Sequence, residues 1–121
     1  MSKELVRAFL DALERRDLPA GQAMLAPGAV MTFPGGNKFE TLEALVAWSK
    51  NRYRSVRKTY QAFDEISRDG MTIIHCHGFL NGEGLDGRPI TDVRFIDRFE
   101  IRDGKIVDQK VWNDLGVAVK A

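Results

Sequence analysis

The sequence lacks the features that mark several classes of protein. It has one cysteine, Cys76, which excludes an internal disulfide and suits a reducing, cytoplasmic location. No apolar run approaches the roughly 18 residues of a membrane-spanning helix. The start of the chain, Met-Ser-Lys-Glu, lacks the apolar region of a signal peptide. A formal net charge of +1 gives no electrostatic reason to expect nucleic acid or an anionic membrane as a partner.

Motifs for bound cofactors are also missing. The sequence has no P-loop, dinucleotide fingerprint, nucleophile elbow or zinc-ligand spacing. Gly82-Glu83-Gly84 is not followed by a helical pattern, which argues against a phosphate site there. We therefore expect no cofactor and no metal. Without repeats or linkers, the 121 residues are expected to form a single domain, residues 1–121, of ordinary globular composition.

Three Asp-Gly pairs punctuate the second half of the chain: Asp69-Gly70, Asp86-Gly87 and Asp103-Gly104. Each pair separates runs rich in β-branched and aromatic residues, a strong signal for a β-hairpin. The pattern predicts a four-stranded antiparallel meander, with strands at about 59–67, 71–81, 89–102 and 105–114.

The first half of the chain reads as mainly helical. Residues 3–16 carry one apolar stripe and predict a helix. A short helix at about 19–25 is expected to stop at Pro27-Gly28, before a brief strand at 29–33. Thr41 is a good N-cap for a third helix at about 42–57. Helices followed by a run of strands predict an α+β fold, with the helices packed on one face of the sheet.

Strand alternation draws attention to Asp97. Phe95, Asp97, Phe99 and Ile101 are expected to share one face of the third strand of the meander. A carboxyl group among aromatic side chains must be paired or protonated, and such a group often has a raised pKa suited to proton transfer. The alternative is a structural carboxylate bonded to a buried hydroxyl or to a partner subunit.

Two histidines stand two residues apart in the second strand of the meander. His75 and His77 are expected on one face, but both faces of this strand look covered, so parity leaves open which face meets the helices. A general acid or base role and a plain core or interface role are equally compatible with the pattern. A metal site is disfavoured, because nothing supplies the remaining ligands.

Further candidate residues lie at strand ends and in the apolar pattern. Trp112 and Asp114 are expected to share a face with Ile106, where they could close one wall of a cleft, although Asp114 could equally cap the end of the sheet. The aromatic residues expected to contact a substrate or form pocket walls are Phe9, Phe33, Trp48, Tyr53, Phe95, Phe99 and Trp112.

The chain resembles the nuclear-transport-factor-2-like superfamily, in its SnoaL-like group. The most specific segments are Phe9–Leu13 followed by Asp17-Leu18, then Phe33–Gly36, then Phe95–Phe99 continued by Asp103–Ile106 and Trp112–Asp114. The resemblance covers nearly the whole chain. It implies a curved antiparallel sheet wrapped by N-terminal helices into a cone, an apolar pocket, and a homodimer through the outer sheet face.

The resemblance also implies roles for single residues. Asp97 corresponds to the protonated carboxyl of ketosteroid isomerases and to the acid–base aspartate of SnoaL-type polyketide cyclases. The isomerase tyrosine and base aspartate would fall on Phe9 and Phe33, so steroid isomerisation is not expected. Asp114 matches a carboxylate of limonene epoxide hydrolases, whose other residues are replaced here. Scytalone dehydratases also use two histidines and an aspartate in this fold.

Three hypotheses follow. The first is an enzyme performing acid–base isomerase, cyclase, hydrolase or dehydratase chemistry on a small hydrophobic molecule. In it Asp97 is the acid or base, His77 or His75 its proton partner, and Asp114 an orienting group. It predicts that Asp97→Asn removes turnover with little effect on stability. The second is a non-catalytic dimeric module that binds a hydrophobic metabolite. The third is a structural dimer with its histidines in the subunit contact.

Overall fold

The computed structural model describes residues 2–118, which form a six-stranded sheet and the helices that accompany it. The elements are, in chain order, α1 (Ser2–Glu14), α2 (Leu18–Ala23), β1 (Leu25–Phe33), β2 (Asn37–Phe39), α3 (Leu42–Ser49), β3 (Ser55–Arg68), β4 (Met71–Glu83), β5 (Pro89–Arg102), β6 (Lys105–Asn113) and α4 (Leu115–Ala118). The strand order across the sheet is β2-β1-β6-β5-β4-β3. The predicted α+β class is confirmed. Within residues 2–118, no helix is long and apolar enough to cross a membrane.

The predicted meander is present as β3 to β6, with each strand antiparallel to the next. Two of the Asp-Gly pairs form tight turns in which both residues have positive φ: 51° and 75° at Asp69-Gly70, 52° and 73° at Asp103-Gly104. This is the backbone of a primed hairpin turn, which the right-handed twist of the flanking strands favours. The pair Asp86-Gly87 lies in a longer loop between β4 and β5.

The sheet is mixed, because β1 runs parallel to β6 and carries β2 at its outer edge. The sequence predicted a strand only at 29–33, whereas β1 begins at Leu25, and β2 was not predicted. The prediction that Pro27-Gly28 stops the short helix is wrong, because α2 ends at Ala23 and Pro27-Gly28 lies within β1. Gly28, with a φ of 78°, is accommodated as an irregularity within this strand. The four-residue helix α4 was also not predicted.

The third helix is shorter than predicted. Its N-cap is confirmed, since the Thr41 hydroxyl accepts a hydrogen bond of 3.2 Å from the backbone N–H of Ala44. The helix ends at Ser49 instead of residue 57, and β3 begins at Ser55 instead of residue 59. Pairing with β4 starts at Ser55 opposite Glu83, so the pairing of these residues with β4 overrides the weak helical pattern of 50–57.

The two faces of the sheet differ in what covers them. On the inner face the predicted set Phe95, Asp97, Phe99 and Ile101 is buried, as expected from alternation. Helix α1 packs on this face, and the rings of Phe9 and Phe99 meet edge to face with centroids 6.0 Å apart. The outer face carries Ile96 and the residues that alternate with the inner set.

Two irregularities change which side chains reach the inner face. In β3 the register moves from Tyr60 opposite Gly78 to Ala62 opposite His77, which leaves Gln61 as an extra residue. In β6 the register moves between Asp108 and Ile106. Ile106 therefore lies buried on the inner face, and the prediction that it shares a face with Trp112 is wrong.

Candidate functional site

Asp97 is fully buried in the middle of β5. Its neighbours on the same face, Phe95 and Phe99, are also buried, so the carboxyl group lies in an apolar interior. Cys76 stands directly opposite Asp97 in the register of β4 and β5. An isolated carboxylate in such a place is strongly unfavourable, so a charge partner is required if the group is ionised.

Lys58 is that partner. Its Nζ donates a hydrogen bond of 2.9 Å to Oδ2 of Asp97, and its side chain is only 18% exposed. The ammonium also lies over the ring of Phe95, 5.0 Å from the centroid. Lys58 precedes the irregularity at Gln61 and shares the inner face with Val56 and Tyr60, which brings its long side chain across β4 toward β5.

Burial and charge act against each other on this pair. Burial raises the pKa of the Asp97 carboxyl above its usual range, and the charge of Lys58 only partly offsets this effect. Burial also favours the neutral form of Lys58, but the charge of Asp97 and the hydrogen bond between them outweigh it, so the pKa of the ammonium is raised. The opposite charges thus hold the two groups together as an ion pair, while burial makes Asp97 easier to protonate than an exposed aspartate.

Three other polar side chains lie in this interior. Gln109 of β6 is fully buried, and neither its Nε2 nor its Oε1 has a hydrogen-bond partner. The Tyr60 hydroxyl and the Oδ1 atom of Asp97 are likewise buried without a partner. Burial raises the pKa of the Cys76 thiol to about 12, and it raises the pKa of Tyr60 as well. Natural proteins rarely leave buried polar atoms unpaired, so each of these invites a functional explanation.

A small cavity reaches this polar group from the side of α1 and α3. Its volume is about 80 Å³, and its lining residues are Leu10, Leu13, Glu14, Arg16, Phe33, Leu45, Val46, Ser49, Tyr53, Val56, Lys58 and Gln109. The exposed side chains of Glu14 and Arg16 form the rim. Since a cavity of about 150 Å³ holds benzene, this one takes up only the polar end of a ligand with a small ring, and the rest of such a ligand lies toward the rim.

The predicted aromatic walls divide between cavity and core. Phe33 and Tyr53 line the cavity. Phe9 and Phe99 fill the interior with their edge-to-face contact, and Phe95 supports Lys58. Trp48 packs against Phe33, with ring centroids 5.9 Å apart, and so supports the wall from behind.

The histidines lie on the other side of the sheet. His75 and His77 stand opposite Arg98 and Ile96 in the register of β4 and β5, which places them on the outer face, away from Asp97. The expectation that one of them is the proton partner of Asp97 is therefore wrong within this chain, because a one-residue step in a strand reverses the face. Lys58 takes that place.

Asp114 and Trp112 also lie away from the buried pair. The Asp114 carboxylate accepts a hydrogen bond of 2.6 Å from Nε of Arg94, an exposed partner. Trp112 stands opposite Ile96 on the outer face and is 52% exposed. The structure thus separates Asp114 from Asp97 and Trp112 from the cavity. Among residues 2–118, no group of three histidine, cysteine or acidic side chains is placed to hold a metal ion.

A wider groove of about 740 Å³ lies at the end of the sheet where β4 turns into β5. Its lining includes the half-buried Arg52 and the exposed residues Leu85 and Arg88. None of the residues predicted from the sequence to act in catalysis or to contact a substrate lines it. The cavity beside Lys58, although smaller, is where charge, burial and unpaired polar atoms meet, and we take it as the candidate site.

The sequence profile of the SnoaL-like domain matches residues 6–109, most of the chain. The chain belongs to the SnoaL-like domain family. The resemblance stated from the sequence is thereby confirmed. No curated protein matches the sequence significantly.

Solved structures share the fold of this SnoaL-like chain. An NTF2-like protein of unknown function from Burkholderia pseudomallei has a TM-score of 0.76 at 20% identity, over 98% of this chain and 94% of that one. TerC, crystallised with polyporic acid, has a TM-score of 0.77 at 16% identity, over 98% and 97%. A candidate SnoaL-like polyketide cyclase from Jannaschia sp. CCS1 has a TM-score of 0.72 at 15% identity, over 98% and 88%. At such low identity these likenesses show the fold alone.

Sequence reasoning missed the two residues that make the polar end of this SnoaL-like cavity, Lys58 and Gln109. A signal for Lys58 was present, because it stands at the apolar position of an alternating run between Val56 and Tyr60. The prediction of a helix at 42–57 hid this alternation, because it placed Val56 in a helix and left Lys58 outside the predicted strand. Gln109 gave a weaker signal, since the irregularity in β6 shifts the face on which it lies.

Proposed function

We propose that this SnoaL-like protein performs acid–base chemistry on a small hydrophobic molecule bearing a carbonyl or enol oxygen, with Lys58 and Asp97 as the reacting pair. The observation that carries the proposal is the buried hydrogen bond between Lys58 and Asp97 beside a cavity that Lys58 itself lines. The reaction class is isomerisation, cyclisation, hydrolysis or dehydration, each of which moves a proton next to a carbonyl or hydroxyl group.

The arrangement suits such a proton transfer. Burial raises the pKa of Asp97, which makes its carboxylate a stronger base than an exposed aspartate and able to accept a proton from Nζ of Lys58. As Nζ gives this proton to Oδ2, it takes another from the carbon beside a ligand carbonyl. Lys58 therefore stays an ammonium, stabilises the enolate oxygen and returns the proton when the transfer runs in reverse, which leaves the protein unchanged.

The composition of the cavity supports a small and largely apolar ligand. Most of its lining is aliphatic or aromatic, and its charged groups other than Lys58 are at the rim. Two structural neighbours are associated with organic molecules, since TerC was crystallised with polyporic acid and the Jannaschia protein is described as a SnoaL-like polyketide cyclase. These are properties of those proteins, and here they only support the choice of ligand class.

Deuterium exchange tests the proposal without knowledge of the natural substrate. Cyclopentanone in D₂O should exchange its α-protons faster with the protein than with Lys58→Met or Asp97→Asn, by about 10²-fold or more. Lys50→Met, which removes an exposed lysine, should exchange like the unaltered protein. Equal rates for the protein and Lys58→Met would contradict the proposal.

A second candidate function is a non-catalytic module that binds a hydrophobic metabolite. It is favoured by one observation: Lys58 and Asp97 already neutralise each other at 2.9 Å, an arrangement that also suits a fixed ligand anchor. In that case cyclopentanone raises the melting temperature but exchanges no faster than in buffer.

We also propose that the protein is a homodimer that pairs through the outer face of its sheet. Ile66, Ile96 and Trp112 are large apolar residues that are exposed on the strands of that face. His75 and His77, half-buried on the same face, would then lie near the subunit contact. Ile96 and Trp112 stand opposite each other in the register of β5 and β6, and adjacent exposed apolar residues are typical of an interaction surface.

A further inference from the structure

The ion pair of Lys58 and Asp97 does not explain why Gln109 is present in the same interior. It lies in the middle of β6, opposite Phe99 of β5, and is fully buried. Its amide offers one acceptor, Oε1, and one donor group, Nε2, and neither has a hydrogen-bond partner. It lines the cavity together with Lys58.

An unpaired buried amide destabilises a fold. Leaving a buried donor or acceptor without a partner costs about 1–3 kcal/mol, and here both ends of one side chain are unpaired. The Gln109 amide lies close enough to Asp97 to lower the pKa of that carboxyl group and so to favour its ionised form. Even so, neither Nε2 nor Oε1 of Gln109 makes a well-formed hydrogen bond. An apolar residue of similar size would fill the same space without this penalty.

The other polar groups of the cavity leave Gln109 available. Ser49 donates its hydroxyl proton to the Val46 carbonyl at 2.8 Å. Glu14 accepts a hydrogen bond of 3.2 Å from the backbone N–H of Lys58, and Arg16 donates to the Leu13 carbonyl at 2.7 Å. Lys58 is held by Asp97 and lines the same cavity as Gln109.

We infer that Gln109 is a specificity-determining residue that recognises a ligand carrying a hydroxyl group next to a carbonyl, an α-hydroxy ketone or its enol form. Oε1 accepts a hydrogen bond from the ligand hydroxyl group, and Nε2 donates one to the ligand carbonyl oxygen. The second lone pair of that oxygen faces the Lys58 ammonium. The inference rests on the proposed function, since Lys58 is the group that holds the same oxygen.

Paired ligands test this recognition. Binding of 2-hydroxycyclopentanone and of cyclopentanone is measured by titration in the unaltered protein, Gln109→Met and Leu45→Met. The unaltered protein should bind the hydroxy ketone about tenfold more tightly or better, because only that ligand pairs both ends of the amide. Gln109→Met should bind the two equally, while Leu45→Met, which changes an apolar part of the lining, should keep the preference.

Thermal stability gives an independent measurement. Because Gln109→Met removes two unpaired polar atoms from the interior, it should raise the melting temperature by a few degrees. A lower melting temperature, or failure to fold, would show that Gln109 supports the structure and would overturn the inference.

The binding results separate the two proposals. A preference that persists in Gln109→Met, or equal binding of both ketones by the unaltered protein, overturns the role of Gln109. If the unaltered protein nevertheless exchanges the α-protons of cyclopentanone faster than Lys58→Met does, the proposed function survives that result. If the unaltered protein binds neither ketone, both the role of Gln109 and the ketone class of ligand are overturned.

Discussion

Lys58 and Asp97 form a hydrogen-bonded ion pair across a strand that lies between them. Lys58 belongs to β3 and Asp97 to β5, and β4 separates these strands in the sheet. In the register, Lys58 is opposite Leu80 and Asp97 is opposite Cys76, so the line joining them passes over Gly78. A glycine there leaves the inner face free for the lysine side chain.

The buried pair makes Asp97 important for stability. Asp97→Asn should lower the free energy of unfolding by about 3 kcal/mol, because it leaves the Lys58 ammonium largely buried without its carboxylate. The sequence alone predicted little change, since the pairing with Lys58 was not foreseen. Urea denaturation followed by fluorescence measures the effect. Asp11→Asn, which removes an exposed partner of Arg7, should change stability by less than about 0.5 kcal/mol.

Removing both charges should restore most of the loss. Replacement of a buried ion pair by apolar residues of similar size is often neutral or stabilising, so the double variant Lys58→Met with Asp97→Leu should be more stable than Asp97→Asn. A double variant as unstable as Asp97→Asn would show that the interior needs polar groups at these positions for another reason.

Alkaline pH should destabilise the protein more than its surface charges account for. The pKa values of Lys58, Cys76 and Tyr60 are all raised in the folded chain. The folded state therefore holds more protons than the unfolded state above the ordinary pKa of each group, and stability falls as pH rises. For Cys76 the window runs from 9.0 to about 12, with a slope of about 1.4 kcal/mol per pH unit.

Cys76→Ala provides the control for the alkaline effect. It removes one of the three groups, so the unfolding free energy should fall less steeply with pH across that window. The slope should decrease by up to the contribution of one proton, about 1.4 kcal/mol per pH unit. Denaturant midpoints measured at several pH values give the two slopes. Identical slopes for Cys76→Ala and the unaltered protein would mean that the thiol is not kept neutral by burial.

Gly78 should not tolerate a side chain. A Cβ atom at this position would lie 1.9 Å from the carbonyl oxygen of Thr59, an atom of the neighbouring backbone that cannot rotate away. Gly78→Ala should therefore cost about 3 kcal/mol or more of unfolding free energy, because β3 must shift to make room. Gly116→Ala, whose Cβ meets nothing within 4 Å, should leave stability nearly unchanged. A mild Gly78→Ala variant would contradict the close approach of the two strands.

Trp112 should matter for self-association if the outer face is the dimer contact. Trp112→Glu places a charge among the exposed apolar residues of that face and should convert a dimer to monomers in sedimentation experiments. Leu85→Glu changes an equally exposed apolar residue in the β4–β5 loop and should leave the dimer intact. A monomeric unaltered protein, or a dimer that persists in Trp112→Glu, would refute the proposed contact.

The parts of the fold that depend on local pattern were predictable. Asp-Gly turns at Asp69 and Asp103 placed the hairpins, because only residues that tolerate positive φ form such turns. Alternation in β5 placed Asp97 among buried aromatic residues. The boundary between α3 and β3 was not predictable, since residues 50–57 have a helical pattern and the strand state of residues 55–57 depends on pairing with β4.

The sequence by itself determined the architecture and the burial of Asp97, because turn chemistry and strand alternation are properties of neighbouring residues. Only the tertiary structure decided the chemistry around that carboxyl group. The extra residue in β3 and the shift in β6 set which side chains reach the inner face, where Lys58 and Gln109 line one cavity. The register of β4 with β5 places His75 and His77 on the outer face. Such register shifts arise from the packing of strands distant in sequence, and no local pattern specifies them.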